Sequence, residues 1–83
     1  MFTVYAIKSE LDGRIYVGFT DCIERRLKEH NSGKTKSTKG YKPWKLIFNE
    51  NADSRENARN REKYFKSGCG KEFLKQIIQG PVA

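Results

Sequence analysis

Residues 2–20, FTVYAIKSELDGRIYVGFT, decide how this chain folds. The stretches from Phe2 to Lys8 and from Arg14 to Thr20 are rich in the β-branched and aromatic side chains that favour strands. Asp12-Gly13 between them is a strong turn signal, because glycine adopts a positive φ without steric cost. The sequence therefore predicts a β-hairpin.

Alternation along the second strand predicts which side chains share a face. The two faces are Ile15, Val17 and Phe19 on one side, and Arg14, Tyr16, Gly18 and Thr20 on the other. If the hairpin loop has an even number of residues and no bulge, paired residue numbers add to an odd sum. Tyr5 then shares a face with Tyr16 and Gly18. Two tyrosines beside a glycine form a shallow surface where a backbone can approach closely. On spacing alone, ordinary strand tyrosines with solvated hydroxyls are the simpler interpretation.

A first helix is predicted directly after the hairpin. Asp21-Cys22-Ile23-Glu24 has the spacing of a capping box, with Asp21 in place of Ser or Thr. The helix is expected from about Cys22 to His30, where Asn31-Ser32-Gly33 ends it. Ile23 and Leu27 lie four residues apart, so they are expected to pack on the sheet.

The second half of the chain predicts a loop, a strand and two helices. Residues 34–43 hold four lysines and predict a mobile loop, and Trp44 to Asn49 predicts a third strand. Asp53 or Ser54 is expected to cap a second helix that runs to about Ser67, where Gly68-Cys69-Gly70 breaks it. A last helix is expected from Lys71 to Ile78, ended by Gly80-Pro81, with an apolar stripe of Phe73, Leu74, Ile77 and Ile78.

The predicted order is β-β-α-β-α-α. This order indicates a small α/β domain, α+β in class, in which helices flank a three-stranded and at least partly antiparallel sheet. With 83 residues, the chain is expected to form a single domain, 1–83, around one modest core.

Composition and charge restrict the classes of partner. No apolar run approaches the ~20 residues that span a bilayer, and Met1 to Tyr5 lacks the layout of a signal peptide, so a cytoplasmic protein without a membrane partner is expected. Cys22 and Cys69 form no CxxC pair, which favours two free thiols over a disulfide or a zinc site. A net charge of +7 favours a polyanionic partner, because each neutralised phosphate releases counterions.

A hydrophobic core alone does not explain Arg26 and His30 on the first helix. Cys22, Arg26 and His30 follow each other at intervals of four, which places a guanidinium and an imidazole on one edge of the first helix. Arg26 suits a phosphate grip and equally a solvated helix edge, and a histidine near a helix C-terminus is commonly a cap or dipole partner.

On the second helix, Ala58, Arg61 and Phe65 trace the expected inner side, and Glu62 falls within that arc. A carboxylate there is costly unless it is paired or binds a metal. Both a salt bridge and a metal role are consistent with the sequence.

Together these residues resemble the GIY-YIG nuclease family. The two signatures of the family correspond to Thr3-Val4-Tyr5 and Tyr16-Val17-Gly18, with ten residues between the tyrosines, although Thr3 and Val4 replace Gly and Ile. The arginine and histidine of the family's helix motif correspond to Arg26 and His30, and its acidic residue corresponds to Glu62. Residues 16–33 are especially similar to small single-domain bacterial members, relatives of the nuclease domain of a bacterial excision-repair protein. The resemblance covers about residues 2–78.

The resemblance implies metal-assisted hydrolysis of phosphodiester bonds, in DNA in preference to RNA, and a role in repair or recombination. The implied catalytic residues are Tyr5, Tyr16, Arg26, His30 and Glu62. Glu62 would hold one Mg²⁺ or Mn²⁺, and Tyr5 or Tyr16 would orient or deprotonate the attacking water. Arg26 would clamp the phosphate. His30 would relay a proton or contact one of the other catalytic residues without touching the substrate. A protein partner is expected to supply target specificity.

Nucleic-acid contacts are expected from Arg25 and from the lysine-rich loop. Lys34, Lys36, Lys39 and Lys42 are placed to follow a phosphate backbone, with Tyr41 and Trp44 alongside to stack a base. Plain solvated lysines explain the loop about as well. The alternatives for the whole chain are a non-catalytic nucleic-acid-binding module with the same fold and a basic protein–protein adaptor. A complete set of five candidate residues argues against the first, and charge alone supports the second.

Overall fold

A computed structural model describes residues 1–79 of the protein. Its elements are strand β1 (Phe2–Ser9), strand β2 (Ile15–Thr20), helix α1 (Ile23–Ser32), a 3₁₀ turn (Lys39–Tyr41), strand β3 (Trp44–Ala52), helix α2 (Arg55–Lys66) and helix α3 (Gly68–Gln79). The predicted β-β-α-β-α-α order is confirmed. The predicted stop at Gly80-Pro81 lies outside the described residues. Within residues 1–79, no helix is both long and apolar enough to cross a membrane.

The three strands form one antiparallel sheet in the order β2-β1-β3. Tyr5 pairs with Gly18 and Ile7 pairs with Tyr16, so partner numbers add to an odd sum, as predicted. Gly13 has a φ of 82° in the hairpin loop, the left-handed conformation that favours glycine there. The shared face of Tyr5, Tyr16 and Gly18 is therefore confirmed.

Helices cover both faces of the sheet. On one face, which we call the apolar face, Val4, Ala6 and Val17 pack against residues of α2 and α3: Ala58, Phe65 and Leu74. On the other, which we call the α1 face, Tyr5, Ile7 and Trp44 are packed by Ile23 and Leu27 of α1, as predicted. The central strand β1 thus contributes alternate residues to two separate clusters.

Two helix boundaries differ from the prediction. Cys22, and not the predicted Asp21, is the N-cap of α1, and its side chain makes no cap bond. The Asp21 carboxylate instead accepts a hydrogen bond from the Arg25 guanidinium at 2.8 Å. Gly68-Cys69-Gly70 does not interrupt the chain but forms the first turn of α3, since Ser67 alone separates the two helices. A Cβ at Gly70 would collide with the backbone of Tyr64 and Phe65, so that glycine permits close packing of α3 against α2. Ser54 caps α2 by accepting a bond from the Asn57 amide.

One further prediction about side-chain environment was wrong, and one apolar stripe is less buried than its composition suggests. Arg61 does not lie on the inner side of α2, because its guanidinium projects outward and pairs with both carboxylate oxygens of Glu50. The apolar stripe of α3 is only partly covered, since Leu74 is buried while Phe73 and Ile77 are exposed.

Candidate active site

The α1 face holds a buried chain of three polar side chains. The Tyr5 hydroxyl lies 2.8 Å from His30 Nε2, and His30 Nδ1 lies 2.8 Å from Thr38 Oγ1. Tyr5 is 1% exposed, and His30 and Thr38 are fully buried. We refer to these three residues as the Tyr5–His30–Thr38 chain. The imidazole is enclosed, so His30 serves neither as a helix cap nor as part of a solvated edge.

The Thr35 carbonyl oxygen, at the end of this chain, determines which group donates in each hydrogen bond. The Thr38 hydroxyl donates to the Thr35 carbonyl oxygen at 3.4 Å, and a carbonyl can only accept. Thr38 Oγ1 then accepts from His30 Nδ1–H, which leaves Nε2 to accept from the Tyr5 hydroxyl. The Trp44 indole fixes the same segment by donating from Nε1 to the Thr38 carbonyl at 2.9 Å.

Burial keeps both members of the Tyr5–His30 pair neutral. It raises the pKa of Tyr5 to about 12, although the Arg26 guanidinium acts in the opposite direction. It lowers the pKa of His30 to about 4, and the nearby charge of Arg26 lowers it further. The raised pKa of Tyr5 and the lowered pKa of His30 both disfavour proton transfer from the phenol to the imidazole. The pair therefore consists of two neutral groups joined by one hydrogen bond.

Gly18 is needed because Tyr5 lies across it. A Cβ at Gly18 would come within 2.8 Å of the Tyr5 hydroxyl oxygen and 3.2 Å of the Tyr16 ring. The predicted open surface above this glycine is therefore filled by the two tyrosine rings. The glycine permits a close approach, but by side chains of this same chain.

Tyr16 stands at the outer side of this cluster. Its ring centroid is 5.1 Å from that of His30 and 6.4 Å from that of Tyr5. Tyr16 is half-buried, whereas Tyr5 is enclosed. Tyr16 thus shares the α1 face with Tyr5, but Tyr5 and His30 lie beneath the surface and only Tyr16 and Arg26 are partly exposed.

Arg26 brings a positive charge to the same place. Its side chain is 31% exposed, and its NH1 group donates to Glu29 Oε1 at 3.0 Å. The guanidinium also acts on the Tyr5 hydroxyl, whose pKa it lowers. A guanidinium carries five N–H donors, so the Glu29 bond leaves others available. Arg26 is thus held in position with donor capacity to spare.

Glu62 reaches this region from the opposite layer. Its side chain is 22% exposed, and Lys66, one turn on, approaches its carboxylate at 3.6 Å. The negative charge of Glu62 contributes to the raised pKa of Tyr5, after burial and the charge of Tyr16. Glu62 and Arg26 therefore both act on the Tyr5 hydroxyl, although they belong to different helices.

The donors available for a metal ion are few. Among residues 1–79, no group of three or more His, Cys, Asp or Glu side chains could hold a metal. Both nitrogens of His30 are already hydrogen-bonded, and Cys22 and Cys69 are exposed free thiols. A single partly exposed carboxylate, Glu62, does not suit Zn²⁺, which takes three or four protein ligands. It suits Mg²⁺, which often takes one or two carboxylates, several waters and the substrate phosphate.

The basic residues predicted to contact nucleic acid lie at the surface of the domain. The four loop lysines, Lys34, Lys36, Lys39 and Lys42, are all exposed. Arg25 is exposed too, but Asp21 at 2.8 Å and Glu29 at 3.8 Å offset its charge. Arg25 and Lys34 line one shallow depression on the outer side of α1.

The loop itself is more structured than predicted. Trp44 is 4% exposed and is not available to stack a base, and the Arg14 guanidinium lies 3.5 Å from the Tyr41 ring centroid and covers one face of that ring. Residues 34–43 include a 3₁₀ turn and the fully buried Thr38, so this mostly exposed segment is anchored to the core at one point.

Three residues of the site were missed from the sequence. Thr38 supports His30, Glu29 holds Arg26, and Asn31 clamps the backbone of Trp44, whose carbonyl accepts from Asn31 Nδ2 at 3.1 Å. Glu29 follows Arg26 at a spacing of three, which favours a helical ion pair and was a usable signal. Nothing local distinguishes Thr38 from the polar residues around it.

Comparisons with known proteins agree with this architecture. A model of the GIY-YIG catalytic domain matches residues 1–73. A UPF0213 protein from Syntrophus aciditrophicus is 43% identical over 72 residues, which cover 84% of this chain and 83% of that protein. A UPF0213 protein from Staphylococcus saprophyticus is 35% identical over 78 residues, which cover 93% of this chain and 94% of the relative.

A solved structure has a similar fold. The solution NMR structure of a UPF0213 protein from Bacillus halodurans has a TM-score of 0.56 and is 36% identical to this chain. The alignment covers 98% of this chain and 89% of that one. The three-stranded sheet and three helices are thus shared with a close relative.

Proposed function

This chain belongs to the GIY-YIG catalytic domain family, and we propose that it is a metal-dependent endonuclease that hydrolyses phosphodiester bonds in nucleic acid. The expected substrate is DNA, in repair or recombination. One observation carries the proposal: Tyr16 and Arg26 stand at the surface directly above the buried Tyr5–His30–Thr38 chain. A fully satisfied buried network of this kind holds its members in one arrangement, so it can fix the positions of the two residues above it.

Arg26 is the proposed phosphate clamp. Only one of its donors is bound to Glu29, at 3.0 Å, and a guanidinium binds phosphate oxygens through parallel N–H bonds. Positive charge at this point stabilises the charge that develops on the phosphate during hydrolysis. Glu29 and Tyr5 hold the guanidinium in place, which limits the reorganisation needed when substrate binds.

Tyr16 is the proposed contact to the attacking water. Tyr5 is enclosed, and its pKa of about 12 disfavours loss of a proton. Tyr16 is half-buried and is packed beside the His30 ring, so its hydroxyl belongs to the accessible side of the cluster. Tyr5 then becomes a positioning residue, since it supports Arg26 and donates to His30.

Glu62 is the proposed ligand of one Mg²⁺ or Mn²⁺. GIY-YIG nucleases generally use divalent ions, and the carboxylate of Glu62 has the donor chemistry and partial exposure that Mg²⁺ requires. Such an ion supplies charge neutralisation at the scissile phosphate and the leaving oxygen. The nearby Lys66 is mostly exposed, and its ion pair with Glu62 is weak enough to be displaced.

The test is cleavage of end-labelled nucleic acid. Wild-type protein is incubated with single-stranded, duplex and branched DNA and RNA, in Mg²⁺, in Mn²⁺ or in EDTA. Metal-dependent cutting of at least one substrate is expected, with Arg26→Ala slower by roughly 10²-fold or more, the effect of removing one group that stabilises transition-state charge. Binding of these substrates without cutting in either metal would favour the non-catalytic module instead.

A further inference from the structure

A second concave feature runs along the free edge of the sheet. It is an open groove of about 460 Å³ between the outer edge of β2 and the junction of α2 and α3. Its floor is apolar: Ile15 is half-buried there, and the core residues Val17, Phe65 and Leu74 lie beneath it. We call this feature the β2 groove. Its volume is within the range of ligand-binding clefts.

The rim of the β2 groove is entirely basic. Arg14, Lys66, Lys71 and Lys75 line it, and no acidic residue does. Arg14 and Lys66 have carboxylate neighbours in Asp12 and Glu62. Within residues 1–79, neither Lys71 nor Lys75 has an ion-pair partner. These two lysines are four residues apart on α3, a spacing at which like charges repel each other and destabilise a helix. An anionic ligand would remove that repulsion.

The groove combines two chemistries that a single nucleic-acid strand also combines. Phosphates of the strand match the lysines of the rim, and the faces of unpaired bases match the apolar floor. A duplex stacks its bases inside and offers mainly phosphates at its surface, so it would leave the floor unused. An acidic peptide would satisfy the lysines but would place no flat apolar group on the floor.

The groove borders the candidate active site at the edge strand β2, where Ile15 and Val17 face the apolar side and the Tyr16 ring faces the α1 side. Tyr16 lines the groove and also lies beside His30. Lys66 lines the groove and also pairs with Glu62. A strand in the groove would therefore run along the edge of β2 that also carries Tyr16, and past Lys66, the ion-pair partner of Glu62.

We infer that the β2 groove binds an unpaired nucleic-acid strand next to the phosphodiester that is cut. The position of the cut rests on the proposed function, whereas strand binding does not. The substrate class that follows is nucleic acid with an unpaired segment adjoining the cleavage point, such as a flap or a branch.

Binding is tested without catalysis, in EDTA. Fluorescence anisotropy of a labelled oligothymidylate is measured against salt concentration for wild type and for the double variant Lys71→Gln, Lys75→Gln. Losing two phosphate contacts should reduce the slope of log K against log salt by about 1.4, or about 0.7 for each lysine on a single strand. An unchanged slope would overturn the inference.

A matched control separates the groove from general charge. Arg59 and Lys63 are also four residues apart, are exposed on α2, and do not line the groove. The double variant Arg59→Gln, Lys63→Gln lowers the net charge from +7 by the same two units. It should change the slope by less than half as much. Equal effects from the two variants would show non-specific attraction and contradict the groove.

The floor is tested by NMR of methyl groups. Oligothymidylate should shift the methyl signals of Ile15 and Val17, and the groove variant should reduce these shifts at equal oligonucleotide concentration. A poly-glutamate peptide should leave them unchanged. If the peptide shifts these methyl signals and the oligonucleotide does not, the groove binds an acidic protein segment and the inference is wrong.

Failure of the groove and failure of the nuclease proposal can be distinguished. Wild-type protein that binds the strand in the groove yet cuts nothing in Mg²⁺ or Mn²⁺ would refute only the nuclease. A groove variant that cuts a flap substrate at the wild-type rate, at substrate concentrations below saturation, would refute only the groove.

Discussion

On the apolar face of the sheet, β1 buries Val4 and Ala6 against hydrocarbon, whereas on the α1 face it buries the Tyr5 phenol against an imidazole. On both faces the buried polar groups are hydrogen-bonded, since no buried side-chain nitrogen or oxygen within residues 1–79 lacks a partner. The two faces nevertheless contribute differently. Apolar burial stabilises without regard to direction, while the polar chain requires each partner in one place. We interpret the apolar face as the source of stability and the α1 face as the support of the chemistry.

The largest expected effect is on the apolar face. Phe65 is 1% exposed and contacts Phe48 and Phe73 in tilted arrangements. Phe65→Ala should lower the free energy of unfolding by about 3–5 kcal/mol, the cost of emptying an aromatic site in a core. Urea unfolding followed by circular dichroism measures this change. Phe73→Ala, at a residue 41% exposed, is the control and should cost clearly less. Similar losses for both variants would contradict the assignment of the core.

The second-largest expected effect is a dependence of the free energy of unfolding on pH, caused by His30 on the α1 face. The pKa of His30 is lowered to about 4 in the folded protein by burial and by Arg26, against ~6.5 in the unfolded chain. Between these values the unfolded state binds one more proton, so stability rises with pH and falls as pH drops. The free energy of unfolding should fall by about 3 kcal/mol between pH 6.5 and pH 4, with a slope near 1.4 kcal/mol per pH unit within that range.

His30 can be isolated because it is the chain's single histidine. The pKa of Asp12 is lowered first by the backbone amide of Arg14, and those of Asp21 and Glu29 by the guanidinium groups of Arg25 and Arg26, so these carboxyl groups titrate below the relevant range. The difference between wild type and His30→Gln from pH 6.5 to 5 therefore reports the imidazole. A wild-type stability that is flat over this range would mean that His30 is not enclosed.

A smaller loss of stability is expected at Thr38, the last residue of the Tyr5–His30–Thr38 chain. Thr38→Val keeps the shape of the side chain but leaves His30 Nδ1 without its partner at 2.8 Å. An unsatisfied buried donor costs about 1–3 kcal/mol. Thr3→Val is the matched control, since its hydroxyl makes only an exposed contact of 3.4 Å to Asn51. If the two variants unfold at the same urea concentration, the Tyr5–His30–Thr38 chain is not a structural unit.

The sheet was predictable because its signals are local. Alternation along β2 and the Asp12-Gly13 turn fixed both the hairpin and its register, so the common face of Tyr5 and Tyr16 followed from parity alone. The apolar face was predictable for the same reason. The start of α3 was not, because Gly70 resembles a helix breaker in sequence and is required by close packing against α2.

The candidate site was predictable in its members but not in its burial. Spacing placed Arg26 and His30 on one edge of α1, yet which of them faces the core depends on how α1 rests on the sheet. Thr38 and Trp44 come from a lysine-rich segment whose composition indicates a loop, and only tertiary contact reveals that they enclose His30. Long-range packing of this kind leaves no periodic trace in the sequence.

The most direct test of the account measures stability and cleavage together for Glu62→Gln. The Glu62–Lys66 contact is 3.6 Å long and Lys66 is 54% exposed, so the free energy of unfolding should change by no more than about 1 kcal/mol. Cleavage in Mg²⁺ should fall by roughly 10²-fold or more, because the proposed metal ligand is lost. Glu72→Gln, which removes an exposed carboxylate from α3, should change neither quantity appreciably. A folded Glu62→Gln protein that cuts at the wild-type rate would contradict the central claim.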